Sequence, residues 1–185
     1  MPDELVDIID PVSNKRTGKS VMKSVAHAQG IWHPAVHVWI YNSKGEVLLQ
    51  HRAKCKKLFP DKWDISVGGH VGFKEKIVDV AVREVKEEIG LSISKTDLKK
   101  VFSFKWHVLA NDGIINNEFV TVFLLEYNGL VKDLVLQKEE VDDARFFTIP
   151  FLKKEIVNND AYLLGKNNSV KKVFELIKKI TCVKK

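Results

Sequence analysis

Residues 68–91 read GGHVGFKEKIVDVAVREVKEEIGL, and the second half of this stretch has helical periodicity. Ile77, Val80, Ala81, Val85 and Ile89 fall in one broad apolar arc, and Gly90 stands where a left-handed C-cap belongs. The acids are placed against the interest of a simple helix. Glu84 and Glu88 lie one turn apart beside the apolar arc, with Glu87 next to them, and like charges at that spacing cost roughly 0.2–0.5 kcal/mol. Glu87 and Glu88 also occupy the last turn, where the macrodipole favours cations. A solvated acidic face is the bland reading. A divalent cation would remove both penalties, and hard oxygen ligands with open positions suit Mg²⁺, so a metal site is expected on this helix.

Gly69, Glu75 and the run Arg83-Glu84-Val85-Lys86-Glu87-Glu88-Ile89-Gly90-Leu91 fill every fixed position of the Nudix box, and the chain is similar to that family across residues 69–91. The resemblance implies that Glu84, Glu87 and Glu88 bind the metal, with Mg²⁺ expected and Mn²⁺ as the alternative. It places the Gly69 backbone near the ion and gives Glu75 the task of holding the loop against the helix. Arg83 reaches the carboxylates one turn on and is expected to orient one of them through a bidentate contact. In two respects the sequence departs from the family: Lys74 stands where many members have Gly, and Gly72 stands two residues earlier, which together predict a differently shaped loop.

A second resemblance runs from about Trp32 to Tyr127. His33, Asn42-Ser43-Lys44-Gly45, Arg52-Ala53, Lys56-Lys57, Phe59-Pro60, Trp63 and Gly69-His70 are similar to type I isopentenyl-diphosphate isomerases, a divergent branch of the same fold. It implies that Arg52 and Lys56 grip a diphosphate, a planar fork and a mobile point charge that suit phosphate oxygens; a strand-end surface charge is the alternative for Arg52. His33 and His70 match metal-binding histidines of that branch, and His37 is an added candidate. Glu118 matches a glutamate that acts in catalysis and metal binding there, so it is a candidate general base or further ligand, against an exposed acid at the start of a strand. Asn116 occupies the place of its companion acid, and Gly68 occupies that of the isomerase's active-site cysteine.

The rest of the chain frames these residues. With 185 residues, a single domain over 1–185 is expected, burying about 70% of its unfolded surface. The 45% apolar and 29% charged content is an ordinary globular mixture. No apolar run reaches the length of a membrane span and the N-terminus lacks an apolar signal core. Two cysteines, Cys55 and Cys182, are too few for a disulfide scaffold or a thiolate zinc cluster, which points to a reducing cytoplasm. The net charge of +6 suits polyphosphate substrates, but no helix-turn-helix, zinc finger or RNA-binding signature accompanies it, so nucleic acid is not expected.

Strands are predicted at Leu5–Ile9, at Trp32–Tyr41 with Glu46–His51 as a hairpin, and at Trp63–Val67 leading into a Gly68-Gly69 turn. Ser13 to Gly18 reads as loop, and no element is assigned between there and Trp32. Leu98–Leu109 and Glu118–Tyr127 form a second hairpin across Asn111-Asp112-Gly113, and Ala144–Phe147 is a last strand. Thr148 caps a helix running toward Val157 with Pro150 in its first turn. After a break at Gly165 to Asn168, Ser169 caps a terminal helix over about 170–180, whose Val170, Val173, Phe174 and Ile177 stripe packs on the sheet, a dimer contact being the alternative; monomer and homodimer both stay open. Irregularly interspersed strands and helices argue for a mixed sheet covered on both faces, and the Nudix resemblance implies the same α/β/α sandwich. The function expected is Mg²⁺-dependent hydrolysis of a diphosphate linkage in a nucleotide or other nucleoside diphosphate-type substrate. Isopentenyl-diphosphate isomerisation and a catalytically silent ligand-binding domain are the alternatives.

Overall fold

The computed structural model describes residues 3–56, 58–109, 114–163 and 168–183. In chain order the elements are β1 (Leu5–Ile9), β2 (Arg16–Met22), α1 (Lys23–Gln29), β3 (His33–Tyr41), β4 (Glu46–Arg52), β5 (Trp63–Asp64) and β6 (Val67–His70). They continue as α2 (Ile77–Ile89), β7 (Leu98–Leu109), β8 (Ile115–Glu126), β9 (Val141–Thr148), α3 (Ile149–Asn158) and α4 (Asn168–Val183). The sheet runs β5-β4-β3-β8-β7, with β6 added on β3 and β9 on β4. It is mixed because β3 and β8 pair in parallel, from His33 beside Glu118 to Tyr41 beside Glu126, while the other pairs are antiparallel.

Alternation along β3 builds the layers. Ala35, Trp39 and Tyr41 face Val170, Val173, Phe174 and Ile177 of α4 and Leu152 of α3. Val36, Val38 and Ile40 face Val80, Ala81, Val85 and Ile89 of α2. Successive strand residues point to opposite faces, so a strand buried on both sides reads as a continuous apolar run. Each fully buried aliphatic or Phe side chain contributes about 1.5–3 kcal/mol, and the α4 stripe is committed to the sheet. No helix among the described residues is long and apolar enough to cross a membrane.

Four local expectations change. β2 begins at Arg16, inside the segment expected to be loop, and pairs antiparallel with β1; its sequence RTGKSVM is polar and carries little alternation to announce a strand. The short helix α1 falls where no element is expected, although Gly30 caps it in the left-handed region (φ 63°). Gly68 and Gly69 are not a turn but lie within β6, opposite His37 and Val36. Helix α4 starts at Asn168, so Ser169 sits inside its first turn instead of capping it. Gly90 does cap α2 (φ 71°) and Thr148 Oγ1 does accept the Phe151 N–H. The Asn111-Asp112-Gly113 turn, Lys57 and most of the Gly165–Asn168 break lie outside the described residues.

Candidate metal and active site

Helix α2 packs its apolar arc under β3 and β6, which turns the acids at its C-terminal half toward Gly69. Glu88 is 5% exposed, and the Gln50 Nε2 amide donates to its Oε2 at 2.8 Å. Burial, and then the nearby Glu84, hold its proton affinity well above that of an ordinary carboxylate. Burial is also the first cause at Glu84, whose pKa is pushed up to about 7 although Arg83 opposes it. Glu87 is half exposed. A side chain built at Gly69 would lie 2.4 Å from Cδ of Glu84, so glycine there lets the Glu84 carboxylate approach the strand; no unusual backbone angle is involved.

Arg83 stands among these acids, but not as a bidentate clamp on one of them. A single Nη1 lies 3.0 Å from both Glu84 Oε1 and Glu87 Oε2, and Nη2 is 3.7 Å from Glu75 Oε2. Glu75 holds the loop as expected, its Oε2 accepting the Gly72 N–H at 2.9 Å. Lys74, at the departure from the family pattern, adopts φ 64°, a conformation that costs a non-glycine residue about 1–2 kcal/mol.

A second cluster lies around His70. Ligand nitrogens of His27, His33 and His70 are within 4.8 Å of one another, and the Nε2 atoms of His27 and His33 are buried without a hydrogen-bond partner. Burial depresses His27 to about 4 and lowers His33, so both rings are neutral at pH 7 and keep a lone pair for a metal. The expectation for His33 and His70 is thereby placed in one cluster with His27, which has no signal in the sequence because α1 has none. His37 stands apart, edge-on to Phe104 and Trp106 at 6.0 and 5.9 Å. Glu118 is 4% exposed and its Oε1 lies 3.2 Å from His70 Nε2, with the Asn116 amide donating to the same oxygen at 3.0 Å. Burial would raise Glu118, but His70 first, with His37 and His33, pushes it down to about 2. The neighbouring histidines thus favour its anionic form, which makes it a poor base. The Asn116 Oδ1, where the isomerases have an acid, is buried without a hydrogen-bond partner.

Beside His70 and Glu118 is a cavity of about 140 Å³, its polar wall formed by these two with Gln50 and Arg52 and its apolar wall by Phe104 and Trp106. Arg52 reaches it while tied to the connector after β4: Nε donates to the Phe59 carbonyl, Nη2 to Leu58 and Nη1 to Asp64. Lys56 is ion-paired with Glu140. The two expected diphosphate cations thus stand at the end of β4 and on the connector after it, each engaged by protein.

The layered mixed sheet, with an acidic helix set against a glycine strand, defines the class of this protein as an α/β/α domain of Nudix type. The chain belongs to the NUDIX domain family, whose model matches residues 31–165. It is 34% identical over 187 residues to Nudix hydrolase 3 of Arabidopsis thaliana, a match covering 96% of this chain but 24% of that protein. It is also 29% identical over 157 residues to isopentenyl-diphosphate Delta-isomerase 2 of Photorhabdus laumondii, covering 85% of this chain and 84% of the relative. The crystal structure of DR0079 from Deinococcus radiodurans superposes with a TM-score of 0.69 at 19% identity, over 95% of this chain and 98% of that one, which shows the shared fold. Both resemblances drawn from the sequence are borne out, and so is the sandwich. Membership supports a hydrolase, and Nudix enzymes generally use divalent metal ions.

Proposed function

We propose that this protein is a Mg²⁺-dependent hydrolase that cleaves a diphosphate linkage in a nucleotide or other nucleoside diphosphate-type substrate. One observation carries the reading: the partly buried Glu84, set against Gly69, and the buried Glu88 share a helix face, and desolvation holds both toward the protonated form. A divalent ion is the partner that would let both ionise, since burial and mutual repulsion outweigh what Arg83 offers Glu84 and the Gln50 amide offers Glu88. Glu84, Glu87 and Glu88 would hold it beside the Gly69 backbone. When bound, the ion neutralises charge developing on the bridging and non-bridging oxygens and activates water.

The remaining roles follow from position. Arg83 spaces Glu84 and Glu87. Arg52 presents the free part of its guanidinium to the diphosphate from the cavity wall, with Lys56 on the connector that follows it as the second cation. Glu118, held at about 2, suits a fixed anion or ligand beside the three histidines better than a general base, whose pKa works best near the operating pH. The histidine cluster favours isopentenyl-diphosphate isomerisation as a second reading. Gly68, which offers no titratable group where that reaction uses a cysteine, weighs against it. A silent ligand-binding domain has no need to retain buried repulsion between Glu84 and Glu88.

A screen of diphosphate compounds by phosphate release, with Mg²⁺ and with chelator, tests the proposal. Mg²⁺-dependent release that falls by several orders of magnitude in Glu87→Gln and Glu88→Gln is expected. Near-normal turnover in both variants would refute the site.

A further inference from the structure

The N-terminal hairpin β1–β2 has no part in either cluster, yet it grips the loop that carries Glu75. Val6 bridges Gly72, and Phe73 N–H donates to the Leu5 carbonyl at 2.9 Å. Asp7, 1% exposed, accepts the Lys74 N–H at 3.0 Å on Oδ2. The same oxygen is 3.2 Å from Arg16 Nη1, while Arg16 Nη2 donates to the Glu75 carbonyl at 2.6 Å. Residue 74 is therefore held from both sides: its own N–H by Asp7, and the next carbonyl by Arg16. It is also the residue with φ 64°, where many members of the family have glycine.

The held angle has a consequence at the acids. It turns Glu75 back so that its carboxylate meets the Gly72 N–H and stands 3.7 Å from Arg83 Nη2. Arg83 is thus drawn on one side by Glu75 and on the other by Glu84 and Glu87. Were the loop to relax, Glu75 would leave, and the guanidinium would settle fully on Glu84 and Glu87, in competition with a cation.

We propose that Asp7 and Arg16 are a positioning pair that fixes Lys74 in its left-handed conformation and, through Glu75 and Arg83, sets the divalent-cation affinity of the acidic helix. This rests on the proposed metal role of α2. The backbone pairing of Leu5 and Val6 with the loop does not involve either side chain, so loss of the pair leaves the hairpin docked.

The test is titration of the substrate-free protein with Mn²⁺, followed by electron paramagnetic resonance of the free ion. Asp7→Asn and Arg16→Gln should each weaken binding by about 10–100-fold, the range for residues that orient metal ligands from behind. Adding Lys74→Gly to either variant should restore much of that loss, because glycine adopts the positive φ without the strain that the pair otherwise offsets. Wild-type affinity in both single variants, or a loss that Lys74→Gly leaves unchanged, would overturn the inference. If Asp7→Asn fails to fold, the Arg16→Gln pair of measurements decides alone. A wild-type protein that binds no Mn²⁺ would instead overturn the metal role of α2 itself, before the hairpin is at issue.

Discussion

Replacing Glu84 by Gln should stabilise the metal-free protein, and only at neutral and alkaline pH. The carboxyl has an ordinary value of 4.5 and is pushed to about 7 in the fold, first by burial. A raised carboxyl pKa means the folded state binds the proton more tightly than the unfolded one. Its contribution is therefore fully present below pH 4.5 and is lost as pH rises through 7. A difference of about 2.5 units at 1.36 kcal/mol each corresponds to about 3 kcal/mol. For a chain of this size that is roughly 6–12 °C in Tm. Thermal unfolding of wild type and Glu84→Gln in chelator, at intervals from pH 4.5 to 8.5, should show curves that differ little at the acid end. The wild type should then fall behind by that margin. Saturating Mg²⁺ should reverse the order, since a ligand at 1,000 times its Kd adds about 4.1 kcal/mol to the protein that binds it, more than the deficit, and the variant has lost a ligand. A wild type that is more stable than Glu84→Gln in chelator at pH 8.5, or a difference independent of pH, would refute the reasoning.

Gly69→Ala should fold, because the glycine lies in regular β6, but its new methyl must push the Glu84 carboxylate aside from a 2.4 Å overlap; turnover should drop ~10²-fold, and unchanged turnover would show that Glu84 need not stay where it is. Arg52→Ala should raise KM for any cleaved diphosphate more than it lowers kcat. It should also speed proteolysis of the connector whose Leu58 and Phe59 carbonyls it holds, and faster cleavage with unchanged KM would leave it a loop anchor alone. Incubation with isopentenyl diphosphate and Mg²⁺ or Mn²⁺ should yield no dimethylallyl diphosphate, since Cys55 and Cys182 are both exposed and neither lines the cavity; formation of that product at enzymatic rates would restore the isomerase.

The acidic helix is legible in the amino-acid sequence because its signal is local. Ile77 to Gly90 carries its own period and its own cap, and the spacing of Glu84 and Glu88 puts them on one face in any α-helix. The apolar run of β3 and the stripe on α4 are equally legible, since burial on a fixed period leaves a trace in the sequence. The polar strand β2 and the short helix α1 leave no such trace, and His27 is hidden with α1. The place of Arg83 beside the acids follows from the sequence, but its shared contact does not. Reach along a helix is set by spacing, whereas the partner chosen depends on Glu75 arriving from the loop.

By itself, then, the sequence determined the family, the layered architecture and the acids expected to bind metal, all properties of spacing within single elements. Only the tertiary structure decided that Glu88 is buried against Gln50, that His27, His33 and His70 converge, that Glu118 is buried 3.2 Å from His70, and that Asp7 holds Lys74. Each of those joins residues from separate elements of the chain. Their energies depend on burial and on distances of a few ångströms, which exist only once β1, β3, β6 and β8 have brought the segments together.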